Sequence, residues 1–549
     1  MGARLAVITG ILALIYGALL FRLYDLQVRH GETYVVRAES QTSGILPADR
    51  GTVYFTDKNG KELAVATNKN LPRIFAIPKE LDDPLEAAYE VAAAIGQPIA
   101  DLLAQFSKKN DSYELIERRA SDDDATHVGN LEIKGIYVEE FPERVYPFST
   151  LAAHVLGFVG PSDKTPDDVG RYGLEAFDQD RLAGKPGELK DGHIVPPTPG
   201  EDVTLTIDPN IQLEAERLLA GLIQEHNAKA GTVIVEEPKT GRILAMGSNP
   251  TFDPNNYRDY KVEGFLNPAV QAIYEPGSVF KVITMAAGID AGKITPQTTY
   301  NDTGVLIENG AKIMNWDHKA YGLQTMTNVI EKSLNTGAAF AERTMGGTIF
   351  RKYLTAFGFG EKTGIDLPGE VAGDFHQLTS NAPNIVYATA SYGQGVAVTT
   401  IELINAVSAI ANGGLLMRPY IDATQKPEVI RRVISPETAA AVTGMMVSAV
   451  DKAVIARLDS YTLAGKTGTA FVPDFKTHTY TDQVINTYVG FGPTSDPRFV
   501  ILIRLDEPEG APLAGLTVVP AFRDLAQFIL TYYDIPPDRA PAAPGPSTP

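Results

Sequence analysis

The sequence predicts a mixed α+β protein of two or three domains behind one apolar N-terminal segment. Three observations carry that reading. Residues 5–21 (LAVITGILALIYGALLF) are uncharged and mostly apolar, with Arg4 before them and Arg22 after. A Gly- and Pro-rich stretch, 187–201 (GELKDGHIVPPTPGE), interrupts the chain like a hinge. Beyond it strand-like and helix-like runs alternate and end in three successive strand-like runs, 462–472, 485–492 and 499–505, which read as an antiparallel meander. A chain of 549 residues is long enough for large cores in each part.

The apolar run is at the short end of a membrane-spanning helix, and its flanking arginines can snorkel to the interface. It leads into Arg22-Leu23-Tyr24-Asp25-Leu26 rather than a small-residue cleavage site, which favours an uncleaved anchor over a signal peptide. Residues 1–4 are therefore expected to be cytoplasmic, 5–24 to form the anchor, and the chain from 25 onward to lie outside the membrane. Next, Arg50 to Ala64 reads as strand, Asn59-Gly60 turn, strand. Helical patterns cover 84–106, the polar stretch 108–124 shows no period, and 133–139 is strand-like.

Past the hinge, Val203-Thr204-Leu205-Thr206-Ile207 is strand-like and 210–226 helical. Two strands, 231–235 and 242–246, are joined by a turn through Glu237-Pro238-Lys239-Thr240-Gly241, and helices are expected over 400–411, 436–450 and 519–532. From Pro536 the tail (PPDRAPAAPGPSTP) has the composition of a disordered segment. The expected division is thus 25–200, 201–535 and a tail of 536–549.

A net charge of −19 argues against a nucleic-acid partner, which needs a basic face. The absence of cysteine excludes disulfides, thiolate zinc sites and a cysteine nucleophile.

Three strings then occur in fixed order: Ser278-Val279-Phe280-Lys281, Ser333-Leu334-Asn335 and Lys466-Thr467-Gly468-Thr469. Ser278 follows Glu275-Pro276-Gly277 and opens an apolar helix. It falls in the first turn, where free N–H groups favour a developing oxyanion. Lys281 lies one turn along the same face, where burial or a nearby cation would free its lone pair. The alternative is a capping serine with a snorkelling lysine. Ser333 and Asn335 offer a hydroxyl to relay a proton and an amide to orient an amine or a carbonyl; alone they would be helix caps. Lys466, Thr467 and Thr469 sit on a predicted edge strand, and Gly468 lets a substrate approach its backbone. The alternative is a solvated strand. Lys-Thr-Gly also occurs at Lys239-Thr240-Gly241, read as a turn between strands, and at Lys362-Thr363-Gly364, read as part of a structural loop flanked by Gly and Pro.

The three strings resemble the signature of penicillin-recognising serine acyltransferases. The likeness extends along the chain: Arg50-Gly51 with Asp57-Lys58-Asn59-Gly60, Arg144-Val145-Tyr146-Pro147 with His154-Val155-Leu156-Gly157, and Gly170-Arg171-Tyr172-Gly173-Leu174-Glu175 look like pedestal motifs of class B, monofunctional penicillin-binding proteins. Tyr392-Gly393-Gln394-Gly395 and Asn412-Gly413-Gly414 resemble their transpeptidase landmarks. Thr400 and Glu402 depart from the family, which commonly has Pro and Gln there.

The resemblance implies an elongated α+β pedestal and a transpeptidase domain with helices on both faces of an antiparallel sheet. It implies a D,D-transpeptidase in which Ser278 attacks the penultimate D-alanyl carbonyl of a peptidoglycan stem peptide and Lys281 takes its proton. Ser333 would pass a proton to the leaving D-alanine, Asn335 would steady Lys281, and Lys466, Thr467 and Thr469 would hold the terminal carboxylate. The backbone N–H groups of Ser278 and Thr469 would form the oxyanion site.

β-Lactams would acylate Ser278, and no metal or cofactor is implied. Ser333-Leu334-Asn335-Thr336-Gly337 looks more like the division branch than the elongation branch. By analogy the partners would be a SEDS-type glycan polymerase and other division proteins of the membrane. A D,D-carboxypeptidase and a non-enzymatic septal scaffold are the competing readings.

Overall fold

The computed structural model describes residues 48–539 except 109, 163–167, 191–192, 475–476, 478 and 511–512, together with 16, 45 and 46. The expected anchor, 5–24, lies outside the described residues except for Tyr16. Among the described residues no helix is long and apolar enough to cross a membrane.

The chain divides into two compact units. The smaller contains 67–145 and 180–202. In it the 67–76 half of a long strand, Glu62–Ala76, pairs antiparallel with Ile136–Val145 and with Glu114–Glu117. Helices Pro84–Ile95, Ile99–Phe106 and Asp122–Gly129 cover this sheet and bury Ile74, Val91, Leu102 and Phe106. Glu143, almost fully buried, accepts from the guanidinium groups of Arg73, Arg118 and Arg119. Arg144 donates to the Gly51 carbonyl at 2.8 Å, which ties two of the sequence landmarks together.

The larger unit holds 53–66, 146–179 and everything from 203 onward. Its centre is a five-stranded antiparallel sheet of β1 (Ala230–Glu237), β2 (Arg242–Asn249), β3 (Ala464–Asp474), β4 (Thr479–Gly492) and β5 (Phe499–Asp506), in the order β2-β1-β5-β4-β3. The expected meander is β3-β4-β5, and β3 is an edge strand as the sequence suggested.

Both faces of the sheet are covered, so burial along β1, β2 and β5 is continuous rather than alternating. Against one face lie α1 (Pro209–Glu225) and, at the C-terminus, Val518–Tyr532. They bury Ile211, Leu219, Phe522 and Leu525 on Val233, Val235, Ile501 and Ile503. The other face receives Thr400–Ala411, nearly all buried, and the turn Gly277–Phe280 that leads into the buried helix α2 (Lys281–Asp290). Residues paired across strands share a face. Lys466 opposes Val489 and Gly468 opposes Thr487, which places both on the α2 side.

Two sequence features resolve differently. Residues 146–179, within the range expected for the pedestal, pack in the larger unit: Asn255 clamps the Tyr146 backbone at 2.8 and 3.0 Å, and Tyr146 Oη donates to Glu175 at 3.2 Å. The tail expected to be disordered from Pro536 is held through Arg539. Asp538 accepts from the Thr462 N–H at 2.7 Å and Arg539 forms a bidentate pair with Asp451. Charged side chains with partners 76 to 88 residues away supply an order that composition does not reveal.

Candidate active site

Ser278 sits in a tight 3-10 turn, Gly277–Phe280, that runs directly into α2. The turn is held from behind: Gly277 has φ +60°, and its N–H donates to the Gly393 carbonyl at 3.0 Å. Glu275 accepts from the Gly395 N–H at 3.0 Å and from Tyr480 Oη. The Tyr392–Gly395 landmark is therefore a backbone brace for the segment that carries Ser278. From the front comes β3. A methyl group on Gly468 would lie 2.9 Å from the Pro276 carbonyl oxygen, and one on Gly277 would lie 2.9 Å from that of Thr469.

The second string lies between helices α3 (Met326–Lys332) and α4 (Asn335–Met345). Ser333 caps α3 in the left-handed region, φ +57°, a conformation that costs a non-glycine residue energy and turns its carbonyl and hydroxyl inward. Asn335 begins α4.

The first two strings meet at Lys281, which is 0 % exposed, and the third reaches them through the Ser333 hydroxyl. Its Nζ is 2.9 Å from Ser278 Oγ, 2.7 Å from the Ser333 carbonyl oxygen, 2.7 Å from Asn335 Oδ1 and 3.2 Å from Ser333 Oγ. The Asn335 amide is oriented from its other end, because Nδ2 donates to the Met314 carbonyl at 2.8 Å. Burial first, and the positive charge of Lys466 second, push the Lys281 amine well below the ordinary lysine range.

A neutral amine has two N–H donors and one lone pair. The Ser333 carbonyl and Asn335 Oδ1 can only accept, so they take both protons. The lone pair is left to the hydroxyls, of which Ser278 is the nearer.

Lys466 Nζ donates to the Thr467 carbonyl at 2.8 Å and stands 3.0 Å from Ser333 Oγ. Burial brings its pKa down to about 7. Thr467 Oγ1 is 3.3 Å from the same Nζ. Thr469 is turned to the fold: its hydroxyl bonds Asn486 Oδ1 at 3.1 Å and accepts from the Ala514 N–H at 3.3 Å. Of the other two Lys-Thr-Gly strings, the first is a turn and the second irregular loop, with Gly241 at φ +83° and Gly364 at +77°. Met314 escapes sequence reasoning because it acts through its carbonyl, which any residue possesses.

A half-buried serine against a fully buried lysine beneath an edge strand, with a second lysine and an oriented amide, has the geometry that serine acyl transfer needs. Residues 231–527 match the penicillin binding protein transpeptidase domain and 45–192 the penicillin-binding protein dimerisation domain. The chain is 32% identical over 541 residues to stage V sporulation protein D of Bacillus subtilis, covering 92% of this chain and 82% of that protein. It is 27% identical to the peptidoglycan D,D-transpeptidase FtsI of Escherichia coli, covering 97% and 92%. The crystal structure of penicillin binding protein 3 from Mycobacterium tuberculosis, complexed with aztreonam, superposes with a TM-score of 0.70 at 25% identity, covering 91% of this chain and all of that one. The chain belongs to the class B penicillin-binding proteins, a family of peptidoglycan D,D-transpeptidases.

Glu402, where this chain departs from the family, is accounted for locally. Its carboxylate accepts from the N–H groups of Gly360, Gly373 and Thr399 and closes a capping box with Thr399.

Proposed function

We propose that Ser278 is the acylated nucleophile, that Lys281 is its general base, and that the enzyme serves septal wall synthesis from an N-terminal membrane anchor. The single observation behind the chemistry is the donor count at Lys281. With both protons committed to pure acceptors, its lone pair stands 2.9 Å from the Ser278 hydroxyl.

Ser278 Oγ attacks the penultimate D-alanyl carbonyl while its proton passes to Lys281. The N–H groups of Ser278 and Thr469 hold the oxyanion. Ser333, within reach of both lysines, delivers the proton to the departing D-alanine. Lys466 and Thr467 bind the terminal carboxylate, and Thr469 joins them once its hydroxyl turns from Asn486 to the substrate. An amine from a neighbouring stem then attacks the acyl-Ser278 ester and forms the cross-link. β-Lactams enter the same first half-reaction and stall as the acyl-enzyme.

Labelling the full chain with a fluorescent penicillin tests the assignment. Label on wild type and none on Ser278→Ala is expected; label persisting on that variant refutes it. Incubation with a stem-peptide donor, with and without an acceptor amine, separates cross-linking from hydrolysis to a carboxypeptidase product. The septal role is supported by Ser333-Leu334-Asn335, and the anchor by residues 5–21. A fluorescent fusion concentrated at the division site is expected; an even sidewall signal would favour an elongation role. Co-purification of a SEDS-type polymerase in mild detergent would test the proposed partner.

A further inference from the structure

We infer that Asp302 is a positioning residue for acylation: through Thr336 and Asn315 it fixes both backbone segments that hold Asn335 against Lys281. The inference rests on the reading of Lys281 as the base.

Asp302 ends the strand Thr299–Asp302 and is 2 % exposed. Its Oδ1 accepts from the Thr336 hydroxyl at 2.8 Å and the Gly304 N–H at 3.0 Å. Its Oδ2 accepts from Asn315 Nδ2 at 2.9 Å and the Tyr321 N–H at 3.1 Å. Two of these donors are immediate neighbours of groups in the site. Thr336 follows Asn335, and Asn315 follows Met314, whose carbonyl receives Asn335 Nδ2. The Asn315 amide is fixed in turn, because Nδ2 also donates to the Lys319 carbonyl at 3.1 Å while Oδ1 faces the Thr336 N–H and hydroxyl at 3.4 and 3.2 Å. Asn335 is thus gripped from its own helix and from the facing strand, Ala311–Met314, and both grips end on one carboxylate.

Burying a carboxylate is costly unless its oxygens are satisfied, and an apolar residue would fill the space at less cost. What the carboxylate adds is an acceptor-only centre with two oxygens, each able to take two donors. It joins segments that chain connectivity leaves independent. Asparagine at 302 has the same shape but turns one oxygen into a donor, which then faces donors and releases one grip. Misplacement by about 1 Å costs a reacting constellation on the order of 100-fold in rate.

The test compares Asp302→Asn, Thr336→Val and Asp366→Asn in the full-length chain. Asp366 is a control of similar burial that accepts from the N–H groups of Ile421 and Asp422 at 2.8 and 2.7 Å, apart from the Asn335 grips. Stopped-flow acylation by a chromogenic β-lactam yields the acylation rate constant and the pre-acylation dissociation constant separately. We expect the rate constant to fall at least tenfold in Asp302→Asn and three- to tenfold in Thr336→Val, with dissociation constants within threefold of wild type. Asp366→Asn should lower Tm while leaving the rate constant of the folded enzyme unchanged.

A wild-type rate constant in Asp302→Asn overturns the inference. So does a loss that Asp366→Asn reproduces at matched Tm. If Asp302→Asn does not fold, Thr336→Val decides alone, and a wild-type rate constant there overturns it. Failure of the underlying reading looks different, because wild type itself would then not be acylated on Ser278.

Discussion

Lys281 and Lys466 converge on one hydroxyl. Their Nζ atoms lie 3.2 and 3.0 Å from Ser333 Oγ, and the two residues are 0 % and 2 % exposed. Each amine is deprived of water, and the charge of Lys466 makes protonation of Lys281 harder still. A base works only above its own pKa, so with Lys281 in the proposed role the acid limb of acylation should report its titration.

Removing the like charge lets Lys281 protonate more readily. Lys466→Met, which keeps the stem and deletes the ammonium, should therefore move the acid limb to higher pH, by about one unit if the pair interacts as close buried charges do. The measurement is the rate of fluorescent-penicillin acylation between pH 5 and 9. Loss of the proposed carboxylate contact should also lower the whole curve, so the position of the limb is the diagnostic. A limb that stays in place, or moves down, contradicts the coupling.

Gly468 is required by contact rather than by backbone conformation. An added methyl would meet the Pro276 carbonyl oxygen at 2.9 Å, Val279 Cγ1 at 2.9 Å and the Val279 nitrogen at 3.2 Å. Backbone cannot yield as a flexible side chain can, so β3 must move away from the Ser278 turn. Gly468→Ala should cost about 1–3 kcal/mol of stability, as overpacking does, and slow acylation at least tenfold in the enzyme that remains folded. Normal acylation with an unchanged Tm would show that the strand and the turn are not in register as described.

The single tryptophan, Trp316, is 56 % exposed and lies two residues beyond Met314, whose carbonyl is clamped by Asn335. Acylation that disturbs Asn335 should reach the indole through that short link. Emission should change with the rate constant of acyl-enzyme formation in wild type, and not at all in Ser278→Ala. A spectrum unaltered by full acylation would show that the Met314 segment does not respond to the site.

What the sequence disclosed and what it hid have separate physical origins. The Ser278 turn, the edge strand of Lys466 and the long helices are written in local signals: a Pro-Gly before an apolar run, alternation, caps. The helical patterns of 84–106 are two helices, parted where Gly96 adopts φ +70° and Pro98 caps the second. The polar stretch 108–124 seemed irregular because little of it is apolar, yet it contains the strand Glu114–Glu117 and the start of the helix Asp122–Gly129. That helix is capped by Ser121 and opened by three aspartates that suit its N-terminus. The Asp302 network could not be read at all: its hydroxyl partner Thr336 is 34 residues away, and Met314 contributes only main chain.

Glu236 offers a test of the fold independent of the site. It lies on β1 at 0 % exposure with no hydrogen-bond partner on either carboxylate oxygen, and burial pushes its carboxyl up to about 8. An unfolded glutamate titrates near 4.3. Between those values the folded chain binds the proton and the unfolded chain does not, so stability is greatest below about pH 4.5 for this group and falls as pH rises toward 8. Each pH unit in the window costs about 1.4 kcal/mol from this carboxyl. Glu236→Gln should flatten the decline of Tm between pH 5 and 8, and a residual slope should persist from Glu216 and Glu342, which burial raises to about 7. Thermal melts across that range decide the matter: parallel curves for wild type and Glu236→Gln would mean that the β1 carboxyl is solvated or ion-paired in the native protein.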